Sequence, residues 1–561
     1  MILQLVRFYP FGAFVVFTAL SSYLALQPLP SSVPLIAFLS ILRLETTLVI
    51  HRPWTFVRLV AIWAAIFIGC FFSFVGLRFG SPEAPVVTAS YAVIFSLLGL
   101  FIVVLAAYCG SNNFVFPALW ATWWLVIAQM SPVGRLGAWS PLIGDDTYSW
   151  LRPHVSDFGI DWIVGASAEV LSCFVTWHVL GFNQRHQNDD GNERRDHRNE
   201  EGDLQTERVD SGRVKFLLFI LIALSFPSSL TELLPEPLHE DNRHDVGVSC
   251  VLPDLSGPRT SFDAFMNETA IVAGRAHVAL WPEDAVFFET EQDKETGLIK
   301  AQELSHQYGI FIGVSFLEPL LEEGEDRGKR RSGTVLVGKD GVMAEYYGRH
   351  PAPCECIIAP SSHWLIYTVS KRVPERSLPG IVNITLGRKN TKHFWEMRLS
   401  ASIGLDFAHP YSHFDAKPQL ILGPARTDHR KMAQVMMEMA RHRAQELRTT
   451  ILWCDGSDSG LSGLVGSGHT RKQVGPGTWV ERMVARIPSE EEWTLYELYG
   501  AFFGLLCAWA PIVLPMIPLP DIRITFPDPK PRRANVAGRL NWLLRRKRPQ
   551  RDVRTGTLVE I

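Results

Sequence analysis

The chain lacks an excess of charge of either sign: 54 Lys and Arg stand against 57 Asp and Glu, a formal net charge of −3. It therefore has no global basic footprint, and no nucleic acid is expected as a partner. Cysteine is scarce, eight in 561 residues, and is poorly spaced for metal. The Cys354-Glu355-Cys356 pair is followed by no second C-x2-C and no His pair at usable spacing, so no metal site and no cofactor is expected. Low-complexity repeats are absent. No small-residue cleavage site stands between the first apolar run and the next, so that run is read as a retained helix, not a signal peptide.

What is present falls into unlike halves. Residues 1–232 are dense in Leu, Ile, Val, Phe and Trp, whereas the middle is charged like a soluble protein. A chain of this length is expected to hold two or more units. Apolar runs of roughly 17–25 residues, long enough to cross a bilayer, lie near 8–27, 56–78, 88–109, 113–131, 158–182, 214–232 and 499–518. A weaker run at 32–50 is interrupted by Arg43 and Glu45. The expected organisation is N-terminal transmembrane helices in 1–182, a charged linker at 183–213, a further span at 214–232, a soluble domain at 233–498, a last span at 499–520 and a basic tail at 521–561.

Basic residues orient these spans. Arg52 and Arg58, the 183–213 linker and the Arg532–Arg554 segment fall on one side, read as cytosolic with both termini. Residues 233–498 are then exoplasmic or lumenal, in the endoplasmic reticulum or another endomembrane if the organism is eukaryotic. The sequons at Asn267 and Asn383 fit a glycoprotein exposed there. Cys70, Cys109, Cys173 and Cys507 fall in apolar runs and are read as packing residues. Cys250, Cys354, Cys356 and Cys454 lie in the soluble region, where an oxidising compartment would favour disulfides of unspecified pairing.

Within 245–498 the pattern alternates. Strands are predicted at 277–281, 309–314, 333–337, 401–405, 419–422 and 450–453, and helices at 292–308 and 428–447. That order predicts a layered α/β domain on a mostly buried sheet. In HVALWPED, Glu283 leaves a buried strand after Pro282, a place where desolvation can raise a carboxylate into general-base range. An acid at a strand end is also a common solvated loop residue. Next comes DGVMAEYYGRHPAPCE (340–355), then ASIGLDFAHP (401–410), Arg443-Ala444-Gln445-Glu446, and the turn Asp458-Ser-Gly-Leu-Ser-Gly463.

Taken in order, these segments resemble the nitrilase-like (carbon–nitrogen hydrolase) domain of the apolipoprotein N-acyltransferases, and 131–168 with the flanking spans resembles that family's membrane part. The resemblance implies a multi-pass helical bundle carrying an αββα sandwich. It implies Glu283 as general base, a lysine in the slot of Gly348, and a nucleophilic cysteine in the slot of Gly404. It implies binding roles for Glu355 and Asp406, with phospholipid and the bilayer as partners and a peptide or protein amine as acceptor. Gly404 has no side chain to acylate, and Gly348 has no charge. Arg349, one residue on, is the candidate oxyanion cation, although a guanidinium is not an equivalent point charge. Three readings follow: a binding pseudoenzyme, an acyltransferase with another nucleophile such as Cys454 at a strand end, and a transporter or lipid-handling bundle in which Arg43, Glu45 and Glu169 do the work.

Overall fold

The computed structural model describes residues 10–50, 54–74, 84–109, 112–178, 211–233, 243–254, 261–319, 330–350, 380–387, 394–410, 416–427, 429–466, 471–486 and 493–514. Most of the 183–213 linker, the Cys354–Cys356 segment with Glu355, and the basic tail lie outside them. Residues 1–512 form one compact unit; of the second, 513–561, only Val513 and Leu514 are described.

The first half is helical: α1 (Pro10–Ala25), α2 (Ser32–Ile50), α3 (Thr55–Phe74), α4 (Ala84–Tyr108), α5 (Val115–Met130), α6 (Arg152–His178) and α7 (Ser211–Leu233). Among the described residues, four segments are long and apolar enough to cross a membrane by length and composition: Ser32–Ile50, Thr55–Phe74, Thr88–Tyr108 and Asp146–Trp177. Phe11–Ala25, Val115–Met130 and Ala501–Val513 are shorter apolar helices.

The bundle turns large apolar side chains outward, including Leu20, Phe56, Phe72, Phe101 and Phe219, and keeps polar groups inside. That arrangement suits a lipid solvent, where helices satisfy their own backbone and charges are tolerated when paired within the bundle. The two charges that interrupt the weak run are accommodated in this way. Arg43 Nε meets Glu169 Oε2 at 3.0 Å, and Glu45 accepts a 2.7 Å hydrogen bond from Thr18. Cys70 and Cys173 are buried as expected, whereas Cys109 and Cys507 are exposed.

The second half is built on two sheets. The first has the order β13-β1-β2-β4-β5-β6, with β3 (Val286–Phe287) paired to β4. Its strands are β1 (Arg243–Cys250), β2 (Val278–Leu280), β4 (Phe311–Pro319), β5 (Arg330–Gly338), β6 (Gly341–Tyr347) and β13 (Trp479–Arg486). The second runs β12-β11-β10-β9-β8-β7, from β7 (Val382–Gly387), β8 (Phe394–Ala401), β9 (Leu420–Ala425), β10 (Thr450–Asp455), β11 (Leu461–Val465) and β12 (Arg471–Val474).

Period-two alternation sorts the side chains into layers. Val278 and Leu280 of the first sheet pack with Leu420, Leu422 and Leu452 of the second, forming the core between the sheets. The intervening Ala279 faces α8 (Ser261–Val272) and α9 (Glu291–Tyr308), while Ile421, Ile451 and Trp453 face α10 (Arg430–Glu446). The domain is thus a four-layered αββα sandwich. It is followed by α11 (Leu495–Tyr499) and α12 (Ala501–Val513).

One predicted strand is displaced. The strand expected at 401–405 lies earlier, as β8 ending at Ala401, and Gly404–Ala408 forms a 3-10 turn instead. Gly404 has φ +42°, in the left-handed region that breaks an extended run and costs a residue with a Cβ about 1–2 kcal/mol.

Cys250 and Cys454 are joined by a disulfide across the inter-sheet core, Cα–Cα 5.5 Å and 204 residues apart in sequence. Closing so long a loop restricts the unfolded chain, an effect of about 2–5 kcal/mol.

Candidate functional site

The site is built where β2, β6 and β8 deliver their ends. Beyond β2 the chain stays anchored: Trp281 N donates to Gly313 O at 2.9 Å, and its indole donates to Thr269 Oγ1 at 2.9 Å. Pro282 and Glu283 emerge from that anchor, with Glu283 half-buried. The next residue, Asp284, takes φ +55°, and burial raises its carboxyl above the usual range.

Gly404 lies against Glu283. A Cβ at Gly404 would stand 2.6 Å from Glu283 Oε2, so the carboxylate occupies the space that a side chain on this turn would claim. Gly348 completes the trio. Its N–H donates to Ser332 O at 3.1 Å, and a Cβ there would meet Ile403 Cβ at an ordinary 3.7 Å. The structure therefore brings the Glu283, Gly348 and Gly404 positions together, although they are spread over more than a hundred residues of sequence.

Asp406 holds the two glycine-bearing segments in register. It is buried and accepts from Tyr346 Oη (2.6 Å), Arg349 N (3.1 Å), His350 N (3.1 Å) and Ile403 N (3.4 Å). His350 Nδ1 sits 2.8 Å from the same carboxylate. Burial, reinforced by the Asp406 charge, keeps the Tyr346 phenol well above its ordinary value and protonated. Arg349 Nε donates to Tyr346 Oη at 3.3 Å, so its guanidinium is engaged with the Tyr346–Asp406 pair.

The expected alternative nucleophile needs correction. Cys454 is buried and bonded to Cys250, so it presents no thiol. Glu355 lies outside the described residues.

Beyond Asp406 the turn reaches the helical bundle. The His350 and His409 rings stack with centroids 3.4 Å apart. His409 Nε2 is 3.3 Å from Pro132 O, and the Arg443 guanidinium donates to His409 O. Gly134, at φ +55°, passes so close to the turn that a Cβ would stand 2.3 Å from Ala408 O. The Arg443–Glu446 segment thus braces the turn, and Arg443 also pairs with Glu446 at 2.9 Å. The 458–463 turn serves a different group: Ser462 Oγ accepts from Asp455 N at 2.9 Å at the end of β10. Sequence reasoning missed the His350–His409 stack and the Gly134 contact. Both join residues distant in the chain, and only the glycine of SPVGRLG carried any local sign of a tight approach.

Comparison with known proteins adds the following. No protein family matches the chain, and no curated protein matches it. Among solved structures it resembles Saccharomyces cerevisiae Nit3, a member of branch 10 of the nitrilase superfamily, at 14% identity and TM-score 0.29, covering 46% of this chain and 94% of that one. It also resembles a glutamine-dependent NAD(+) synthetase from Cytophaga hutchinsonii (12% identity, TM-score 0.28, 46% of this chain and 45% of that one). A third is the C. elegans NitFhit protein (13% identity, TM-score 0.28, 49% of this chain and 64% of that one). The chain therefore covers less than two thirds of the second and third.

The site has an acid-sensitive member. Burial first, then the neighbouring His350, push His409 down to about 4. An unfolded histidine titrates near 6.5, so between these values the unfolded chain binds more protons and stability rises with pH. The destabilisation thus sets in as pH falls below about 6.5 and is complete below about 4. Unfolding midpoints taken near pH 7 and near pH 5 should show this loss in the wild type and a smaller loss in His409→Gln. Equal losses would contradict the assignment.

Proposed function

We propose that the chain is a membrane-embedded, nitrilase-like protein resembling apolipoprotein N-acyltransferase that keeps a lipid- or peptide-binding cleft and has lost the thiol mechanism. The observation that carries this reading is the Gly404 turn. At position 404 it stands beside the Glu283 carboxylate with no side chain and hence no thiol to acylate, and acyl transfer through a thioester intermediate requires one. Gly348 supports it, since the position suited to an oxyanion cation beside Ile403 holds no side chain. The disulfide of Cys454 removes the strand-end cysteine from consideration. The partners on this reading are phospholipid, the surrounding bilayer and a peptide or protein amine.

The domain is placed on the exoplasmic or lumenal side, with both termini cytosolic. The Cys250–Cys454 disulfide supports this placement, because such bonds persist in oxidising compartments. Asn267 and Asn383 are both exposed and accessible for glycosylation.

Two experiments test the proposal. Purified protein incubated with phospholipid carrying a labelled acyl chain should retain lipid while forming no hydroxylamine-sensitive adduct. A stable thioester abolished by replacing one cysteine with alanine would overturn the pseudoenzyme reading. For orientation, expression in a glycosylating host should give a glycosidase-sensitive mobility shift, lost in the combined Asn267→Gln, Asn383→Gln variant. An unmodified domain open to protease from the cytosol would reverse the topology.

A further inference from the structure

Where the sandwich meets the bundle, two cavities share a wall. The first, about 20 Å³ measured as the space open to the centre of a water molecule, has Gln27, Cys70, Tyr91, Arg135 and Ser140 of the helical half in its lining. The second, also about 20 Å³, lies between α6, α10 and the 404–410 turn, and its lining includes Arg135, Ser156, Asp157, His442 and Glu446. Arg135 and Leu142 border both.

Arg135 is fixed in that shared wall. Its Nη2 donates to Asp161 Oδ2 at 2.8 Å and to Ser140 Oγ at 2.7 Å, and its Nε lies 3.4 Å from Asp157 Oδ2. Around the second cavity, Arg152 Nε donates to Asp157 Oδ1 at 2.8 Å, and His442 Nδ1 lies 3.1 Å from the same oxygen. Ser156 hydrogen-bonds Glu446. The lining thus carries groups of both signs in contact with one another, a setting that suits a small neutral dipole. A water needs roughly 10–15 Å³ on this measure and two to four polar partners. Both cavities meet those conditions, and a lipid headgroup or a peptide is too large for either.

The backbone gives a second reason. α6 is broken where it borders the second cavity: Ser156, with helical residues on either side, has φ +59° and ψ −165°. A break in a helix releases N–H and C=O groups that the missing turn would have paired, and a water seated in the ladder is one of the few causes of such a kink. Ser156 is 7% exposed, so bulk solvent does not serve these groups. Buried backbone groups with no partner at all are rare in folded proteins.

We propose that ordered water fills both cavities, making the junction a wet seam that runs from the loop between α1 and α2 to the 404–410 turn, with Arg135 as its partition. The bridging water joins α6 to α10 and to the turn beside Phe407 and Pro410, which also line the second cavity. The proposal is independent of any chemistry at Gly404 and of the ligand that the cleft takes.

X-ray footprinting of the full chain in detergent micelles tests it, because brief irradiation turns bound water into hydroxyl radicals in place and oxidises the side chains beside it. The chain carries its own controls. Met439 borders the second cavity, whereas Met436, on the same helix and equally buried at 5% exposure, borders neither. Cys70 borders the first cavity at 1% exposure, and Cys173 borders neither at 8%. Met439 should be oxidised several-fold faster than Met436, and Cys70 several-fold faster than Cys173, although neither is the more exposed of its pair. Met439 oxidised no faster than Met436, or Cys70 no faster than Cys173, would overturn the proposal.

Discussion

Asp406 accepts hydrogen bonds from Tyr346, Arg349, His350 and Ile403, and the geometry of the site depends on that convergence. A buried carboxylate is stable only when such donors replace its water. Here they come from the end of β6 and from the turn after β8, on different sheets. The consequence is that Gly348 lies against Ile403, the residue before Gly404, and the turn carrying Gly404 is pressed onto Glu283. On the proposed reading this is the backbone order of a covalent site, with two of its three positions occupied by glycine.

The same turn is held from the helical bundle. Pro132 and Gly134 contact His409 and Ala408, while α10 contributes Arg443 to the turn and the His442–Glu446 segment to the buried charges of the bundle. The sandwich and the bundle are therefore coupled through polar contacts, which require matched geometry to be tolerated when buried. The disulfide performs a separate task by tying β1 to β10 through the inter-sheet core.

Much of this was legible in the sequence, for identifiable reasons. The long apolar helices stand out because runs of that length are plain in sequence, four of them long enough to cross a membrane among the described residues, and even the weak run containing Arg43 and Glu45 forms a helix in which Glu169 and Thr18 partner those charges. The alternation of strands and helices predicted a layered α/β domain, the family resemblance implied an αββα sandwich, and the chain forms that sandwich. The misplaced strand at 401–405 reads as apolar, but a left-handed glycine ends extension at 404, and φ is not written in residue type. Strands such as Val382–Gly387 escaped notice because alternate residues, Asn383 and Thr385 among them, face solvent and dilute the apolar pattern. The buried charges were invisible for another reason: Arg152 and His442 meet across 290 residues, and no local pattern announces such a pairing.

The central claim is that the Gly404 turn is a nucleophile's position without its nucleophile, and restoring the missing groups tests it most directly. At Gly348 an added Cβ meets only ordinary contacts, and at Gly404 the obstacles are the movable end of Glu283 and a left-handed φ of +42° that costs about 1–2 kcal/mol. The Gly404→Cys, Gly348→Lys double variant should therefore fold and, given phospholipid with a labelled acyl chain, form a hydroxylamine-sensitive adduct at position 404. Adding Glu283→Gln should abolish it. A folded double variant that stays unlabelled, or a wild type labelled equally well, would contradict the account.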